Sequence, residues 1–494
     1  MNNKVQLITY VDRFAGDLPR LARLLGGPLQ GVFGGVHLLP FFYPIDGADA
    51  GFDPIDHTRV DPRLGTWSDV AGLSAVVPVM ADVIVNHVSA QSEAFRDFLA
   101  RGPESEYAGM FLTLDAVFPE GAREDDLLRL FRPRPGLPFT PVTLGSGGRR
   151  LVWTTFTPNQ VDIDVTHPRG AAYLGSILAA LHENGVTMIR LDAAGYAVKR
   201  AGTSCFMIPE TFRFIADFAA EARRFGIEVL VEIHCPHRQQ IEIARHVDRV
   251  YDFALPPLVL HALYRGSAAA LKAWLAIAPR NAVTVLDTHD GIGIVDVGAD
   301  PADRAGRPGL LAPEELDALV EEIHARSGGG SRKATGASAN NLDLYQVNCT
   351  YYDALGRDDG DLLIARAIQF FTPGVPQVYY VGLLAGENDL GLLARTNVGR
   401  DINRHHYTSG EVAAALGKPV VRDLLALIRL RNEHPAFDGE FRIHESPDEV
   451  LHVSWARGGD SIELRVDLAG REVSIGGMRD GLRFSHDLFA HSRA

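Results

Sequence analysis

Cysteine is scarce in this chain. Cys205, Cys235 and Cys349 are odd in number and widely spaced, which argues against a disulfide framework and for reduced, packing thiols. Long apolar runs are missing too: no stretch reaches the roughly 18 residues that a membrane span needs. The first residues, MNNKVQLITYVDRF, lack a basic segment leading into an apolar run, so the expectation is a cytoplasmic protein without membrane contact. Positive charge is in deficit, with a formal net charge of −14. Proteins that bind nucleic acid draw most of their affinity from a basic face, so no nucleic-acid partner is expected. There is no repeat of 20 to 50 residues, and no G-x-G-x-x-G after the first strand-like run.

What remains is an ordinary globular composition spread over 494 residues, enough for a large domain with insertions or for two to three modules. Short apolar runs recur: KVQLITY, GVHLLPFF, VPVMADVIVNH, VTMIRLDA, IEVLVEIH, VDRVYDFAL, AVTVLDTHD and PQVYYVG. Several are apolar throughout, as strands buried on both faces of a parallel sheet are. Between the fourth and fifth lies PETFRFIADFAAEARRFG, which has helical spacing and a terminal glycine. Eight such units close into a barrel or lie in an open doubly wound sheet, and the missing glycine-rich turn favours the barrel. Two connections are too long to be plain loops. One carries FRPRPGLPFTPV and LVWTTFTPNQVDIDV, the other SGGGSRKATGASANN. After VRDLLALIRLRNEHPAF the period becomes two in FRIHES, VLHVSWAR, SIELRVDL and REVSIGG, which predicts a small antiparallel module.

In such a barrel the C-terminal strand ends face the active site. Those positions hold Asp49 and Phe52 in DGADAGFDPIDH, His87, Arg190 with Asp192, Glu232 with His234, and His289 with Asp290. A single strand-end aspartate is more often a helix cap or a loop hydrogen-bonder. Three carboxylates on separate strands, accompanied by an arginine and histidines, point to chemistry. One ionised and one protonated carboxyl group can cleave a glycosidic bond. Arg190, on the same strand face as Asp192, is placed to keep that carboxylate charged. The stretch His234-Cys235-Pro236-His237 looks like half of a zinc site, but no second ligand cluster accompanies it, so no metal is expected.

These motifs resemble the α-amylase superfamily of retaining glycosidases: ADVIVNH, IRLDAAGY, EIH and LDTHD span the whole barrel. Within it the chain resembles the sucrose phosphorylase family, through VQLITY, LPFF, DGADAGFDPIDH, FRPRPGLPF, QVDID, AGTSCF, VDRVYDFALPPL, NLDLYQVN, GVPQVYYVG and GRDINRH. The resemblance implies a (β/α)8 TIM barrel at residues 1–85, 167–291 and 357–437. Two inserted lid domains would occupy 86–166 and 292–356, and a C-terminal antiparallel β domain 438–494. It implies Asp192 as nucleophile, Glu232 as general acid and base, and Asp290 as transition-state stabiliser. Asp49, Phe52, His87, Phe156, Arg190, His289 and Arg400 match glucosyl-binding positions. Arg134, Tyr196, His234, Leu342, Asp343, Tyr345 and Gln346 match positions that meet phosphate or fructose, with Asp343 and Tyr345 exchanging places through a loop movement.

The implied reaction is reversible glucosyl transfer from sucrose to phosphate through a β-glucosyl aspartate, giving α-D-glucose 1-phosphate and fructose with retention. No cofactor is implied, and a homodimer is a family-level expectation. Rival readings are a phosphorylase of sucrose 6′-phosphate, glucosylglycerol or glucosylglycerate, a hydrolase, and a non-catalytic carbohydrate-binding barrel. Two departures bear on acceptor choice. Phe131 stands where family members carry tyrosine, so a hydroxyl contact is in doubt, and Ala90 stands where a bulkier aromatic can occur.

Overall fold

The structure, a computed structural model, describes residues 1–47, 49–134, 136–300, 303, 305–336 and 346–492. Each of the eight apolar runs supplies one strand: β1 (Gln6–Thr9), β2 (Gly35–Leu38), β3 (Val79–Ile84), β4 (Met188–Asp192), β5 (Glu228–Val231), β6 (Arg249–Asp252), β7 (Ala282–Thr284) and β8 (Val375–Tyr379). Neighbours in the chain are neighbours in the sheet, and β8 pairs in parallel with β1, so the sheet closes. The open doubly wound alternative is thereby excluded.

Strand periodicity explains the charges inside IRLDAAGY. Alternate residues of β4 point to opposite faces, so Ile189 and Leu191 join the main core around the barrel, whereas Met188 packs with Met80, Leu230, Tyr251 and Val283 in a separate inner cluster. Arg190 and Asp192 share the parity of Met188 and continue up the inner face toward the mouth. The register sets Arg190 opposite Asp82 of β3 and Leu230 of β5.

The surrounding helices are built by local rules. Helix Pro168–Glu183 starts with proline at its first position, where the missing N–H costs nothing. His167 caps it by accepting from the Arg169 N–H at 3.2 Å, and Leu174, Ile177, Leu178 and Leu181 form its buried stripe. In helix Pro209–Arg224 the stripe is Ile215, Phe218, Ala219 and Ala222.

Between β3 and β4 the chain leaves the barrel to form two strand pairs, Phe139–Thr143 with Arg149–Trp153 and His87–Ser89 with Gln160–Asp162. Leu112, Val117, Phe118, Leu130 and Trp153 form a small core there. Phe139–Thr143, at the end of the proline-rich FRPRPGLPFTPV, is a strand that the sequence reading does not include. Its pairing with Arg149–Trp153 is non-local and invisible to composition. Between β7 and β8 lie the short pair Ile292–Gly293 with Gln346–Val347 and helix Pro313–Arg326.

The C-terminal sheet runs in sequence order as β9 (Glu440–Ile443), β10 (Val450–Arg457), β11 (Asp460–Asp467), β12 (Glu472–Arg479) and β13 (Leu482–His486). Leu451, Val453 and Trp455 face Val466, Leu464 and Ile462 across the ladder, and all six are buried. Trp455 donates its indole N–H to the Phe371 carbonyl at 2.8 Å, seating this sheet on the barrel. The fifth strand, LRFSH, is a short edge strand that the sequence reading does not include; its alternating Leu482 and Phe484 are not buried, Leu482 being 74% exposed.

At the end of β6, Asp252 accepts from the Trp274 indole and from the Leu255 N–H at 3.0 Å. Burial nevertheless lifts its pKa from 3.8 to about 7. A carboxyl group raised on folding favours the folded state while protonated, and that contribution drains away as pH climbs from the unfolded pKa through the folded one. Asp252→Asn keeps an acceptor for both donors and carries no charge. The stability of wild type relative to this variant is therefore expected to fall by roughly 4 kcal/mol between pH 4 and pH 8. Parallel denaturation midpoints across that range would contradict the assignment.

Candidate active site

A cavity of about 1030 Å³ opens at the C-terminal end of the barrel. Asp192, Glu232 and Asp290 all line it, as do Asp49, Phe52, His87, Phe156, His289, Arg400, Arg134, Tyr196 and His234. Arg190 lies beneath the floor, 2 % exposed. Its guanidinium reaches Asp82 at 2.5 Å, Asp192 at 3.0 Å and Glu232 at 3.3 Å. Asp82 in turn meets the His37 imidazole at 3.1 Å. Burial would raise Asp82, but Arg190 and His37 hold it down at about 2.

The expectation that Arg190 keeps Asp192 ionised needs correcting. One guanidinium serves three carboxylates, and burial together with Glu232, Asp82 and Asp290 pushes the Asp192 carboxyl well up against the pull of Arg190. Asp192 and Glu232 thus meet the same guanidinium, at 3.0 and 3.3 Å. Asp290 behaves oppositely. Burial would raise it, yet Arg400 at 2.8 Å, His289 at 3.8 Å and Arg404 at 3.9 Å hold it far below the usual carboxylate range. The site thus sets Asp290, which stays charged, beside Asp192, whose charge is disfavoured.

The aromatic walls are locked by polar contacts. The Phe52 ring stacks on His289 at 4.9 Å and lies 5.6 Å from the Arg190 guanidinium. His87 meets the Phe52 carbonyl through Nε2 at 2.9 Å and sets its edge against Phe156 at 5.5 Å. Burial lowers the pKa of His87, and that of His289 to about 3, so both are neutral hydrogen-bonding groups. Asp49 is half-buried; desolvation would raise its carboxyl, but Arg400, Arg404 and Arg134 hold it below its ordinary value.

On the outer side Tyr196 packs against Phe206 at 4.8 Å and Phe131 stacks on Phe206 at 4.3 Å. Phe131 faces the cavity. Ala90 does not line it; it packs against the core and donates its N–H to the Asn159 carbonyl at 2.7 Å. Gln346 is buried behind His234, with its amide 3.5 Å from Nε2. Leu342, Asp343 and Tyr345 lie outside the described residues.

Among the described residues Glu232, His234 and Asp290 bring possible ligand atoms within 4.8 Å of one another. Asp290 is already paired with Arg400 and His234 with Asp296, so a cation there would compete with a guanidinium. His237, the other half of the sequence pattern, opens the helix His237–Ala244 and packs against Trp274.

Sequence reading missed Lys199. Its ammonium, 1 % exposed, pairs with Asp162 at 2.7 Å, donates to Asn86 Oδ1 at 2.8 Å and also to the Tyr196 carbonyl. Asp162 accepts from the Thr155 N–H and hydroxyl, next to Phe156. One buried cation thus ties the segments that carry His87, Phe156 and Tyr196. Lys199→Met leaves the Asp162 carboxylate buried and unpaired, and is expected to cost about 3 kcal/mol or more. The urea midpoint checks this, and an unchanged midpoint would contradict it.

The closed parallel barrel carries three carboxylates at its mouth, and it shares its fold with a solved α-amylase from H. orenii, with a TM-score of 0.64 at 15% identity over 95% of this chain and 90% of that one. No family model matches the chain. It is 61% identical over 476 residues to a sucrose phosphorylase of Agrobacterium vitis, covering 96% of this chain and 97% of that one. It is 56% identical to the Bifidobacterium adolescentis sucrose phosphorylase, covering 92% and 90%. A crystal structure of sucrose 6F-phosphate phosphorylase from Thermoanaerobacter thermosaccharolyticum superposes with a TM-score of 0.90 at 38% identity, covering 98% of each chain. The chain belongs to the sucrose phosphorylase family. No helix among the described residues is long and apolar enough to cross a membrane.

Proposed function

We propose that the protein transfers the glucosyl unit of sucrose reversibly to phosphate, with retention, through an ester on Asp192. The observation that carries this reading is the arrangement at the mouth: Asp290 is paired with Arg400 at 2.8 Å and held charged, whereas Asp192 and Glu232 converge on the one Arg190 guanidinium at 3.0 and 3.3 Å. A retaining transfer needs that inventory, namely a nucleophile, a proton donor and a fixed negative charge for the oxocarbenium-like transition state. With sucrose bound, the proton resides on Glu232 and passes to the fructosyl oxygen as Asp192 attacks the anomeric carbon. The C–O bond to fructose breaks while the bond to Asp192 forms. Phosphate then attacks from the vacated side, displaces Asp192 and yields α-D-glucose 1-phosphate. Asp49, Phe52, His87, Phe156, His289 and Arg400 hold the glucosyl ring, and Arg190 sets the geometry of both reacting carboxyl groups.

Phosphate must enter a mouth rich in carboxylates, and Arg134, on the cavity wall beside Phe156, offers a guanidinium that matches phosphate geometry. Leu342 and Tyr345 complete that contact, and Asp343 withdraws from it when fructose has left. The segments 86–166 and 292–356 act as lid domains over the barrel, and the protein works in the cytoplasm. The substrate assignment is supported by identities of 61% and 56% to relatives named for sucrose, against 38% to the one named for sucrose 6F-phosphate. Phosphorolysis rates on sucrose, sucrose 6′-phosphate, glucosylglycerol and glucosylglycerate test it. Sucrose is expected to give a kcat/KM at least about tenfold above the others, and a higher value for any other donor would reassign the substrate.

A further inference from the structure

The acceptor-side histidine is held by a residue to which the proposed mechanism gives no part. His234 Nδ1 lies 3.1 Å from an Asp296 carboxylate oxygen. A carboxylate only accepts, so Nδ1 carries the proton and Nε2 is the ring's acceptor edge, on the side of Gln346 and the cavity. The other Asp296 oxygen accepts from the Cys235 N–H at 3.1 Å and from Gln240 Nε2 at 2.7 Å, and Asp296 is fully buried. The ring has no freedom to turn, because it stacks on Phe253 at 3.9 Å with 14° between the planes. Room for the pair is reserved by Gly293. A Cβ there would stand 2.4 Å from Asp296 Oδ2 and 3.3 Å from His234 Nδ1. Gln346, cross-strand from Gly293, accepts the Gly291 N–H on Oε1 at 3.0 Å and so turns its NH₂ toward Nε2.

We infer that Asp296 is a positioning residue for the second half-reaction: it fixes the ring and tautomer of His234 so that Nε2 can take up a proton and pair with an anionic acceptor, selecting phosphate over water. The inference rests on the phosphorylase reading above. Among the described residues Asp296, Glu232 and Asp290 are titratable groups that act on His234; although burial opposes it, Asp296 chiefly raises the imidazole pKa, and the two others add to the effect. An imidazolium–phosphate contact forms one charge-assisted hydrogen bond that water cannot form.

Asp296→Asn tests this with little disturbance, since the amide oxygen still accepts from Cys235 and Gln240 while its NH₂ turns to His234 and moves the imidazole proton to Nε2. The readout is the ratio of glucose 1-phosphate to glucose formed from sucrose by the full chain at fixed phosphate. That ratio depends only on how the glucosyl ester is resolved, so a general loss of activity does not move it. It is expected to fall about 10- to 100-fold, the worth of one charge-assisted hydrogen bond. Gly293→Ala, which displaces the same pair by bulk, is expected to lower it as well, and Asp296→Asn is expected to add less than about twofold in a His234→Gln background. A wild-type ratio in both single variants overturns the inference and leaves the phosphorylase reading standing. A wild type that makes no glucose 1-phosphate overturns both.

Discussion

Asp192→Asn is expected to lower glucosyl transfer from sucrose by about 10⁴-fold or more without weakening the fold. The amide cannot form the ester, and no other carboxylate can take its place. Asp290 is tied to Arg400 at 2.8 Å, and Asp82 is fully buried under Arg190. The fold tolerates the change because burial and neighbouring carboxylates already penalise a charge at position 192. A neutral isostere beside Arg190 at 3.0 Å retains a hydrogen-bond acceptor there. Thermal melting should therefore be unchanged or slightly raised. Transfer within tenfold of wild type would remove Asp192 from the nucleophile's place.

Glu232→Gln is expected to be equally plain with sucrose and much milder with a donor that needs no proton. Fructose leaves as an alkoxide unless protonated, so losing the acid is expected to cost roughly 10²- to 10⁴-fold. With α-glucosyl fluoride the leaving group departs as the anion, and the loss should shrink to within about tenfold. Phosphate attack tolerates the change as well, because the nucleophile arrives as an anion. The variant also removes one of the charges that raise Asp192, so the acid limb of its kcat/KM profile on the fluoride should move to lower pH. Equal losses on both donors would contradict the role given to Glu232.

The barrel was legible because its eight strands are short apolar runs with helical segments between them, a local signal that tertiary context reinforces. The carboxylates were legible from position alone: Asp192, Glu232 and Asp290 end different strands, and the barrel brings such ends together at one mouth. The electrostatics were not. Arg190 sits two residues from Asp192, which suggests a private ion pair, but Asp82 lies across the ladder in β3 and claims the same guanidinium. Lys199 and Asp296 were missed for the same reason. Each works through partners far away in the chain, Lys199 through Asp162 and Asn86, and Asp296 through His234 and Gln240. Ala90, suspect by position, is not among the residues that line the cavity, whereas Phe131 lines it and stacks on Phe206.

The most direct measurement is the anomeric configuration of the first product formed from sucrose and phosphate, followed by proton NMR before equilibration. A double displacement through Asp192 with phosphate as acceptor predicts α-D-glucose 1-phosphate accumulating in step with fructose, and none without phosphate. β-D-glucose 1-phosphate would mean a single inverting displacement, and free glucose at the same rate with and without phosphate would mean a hydrolase. Either result would contradict the account.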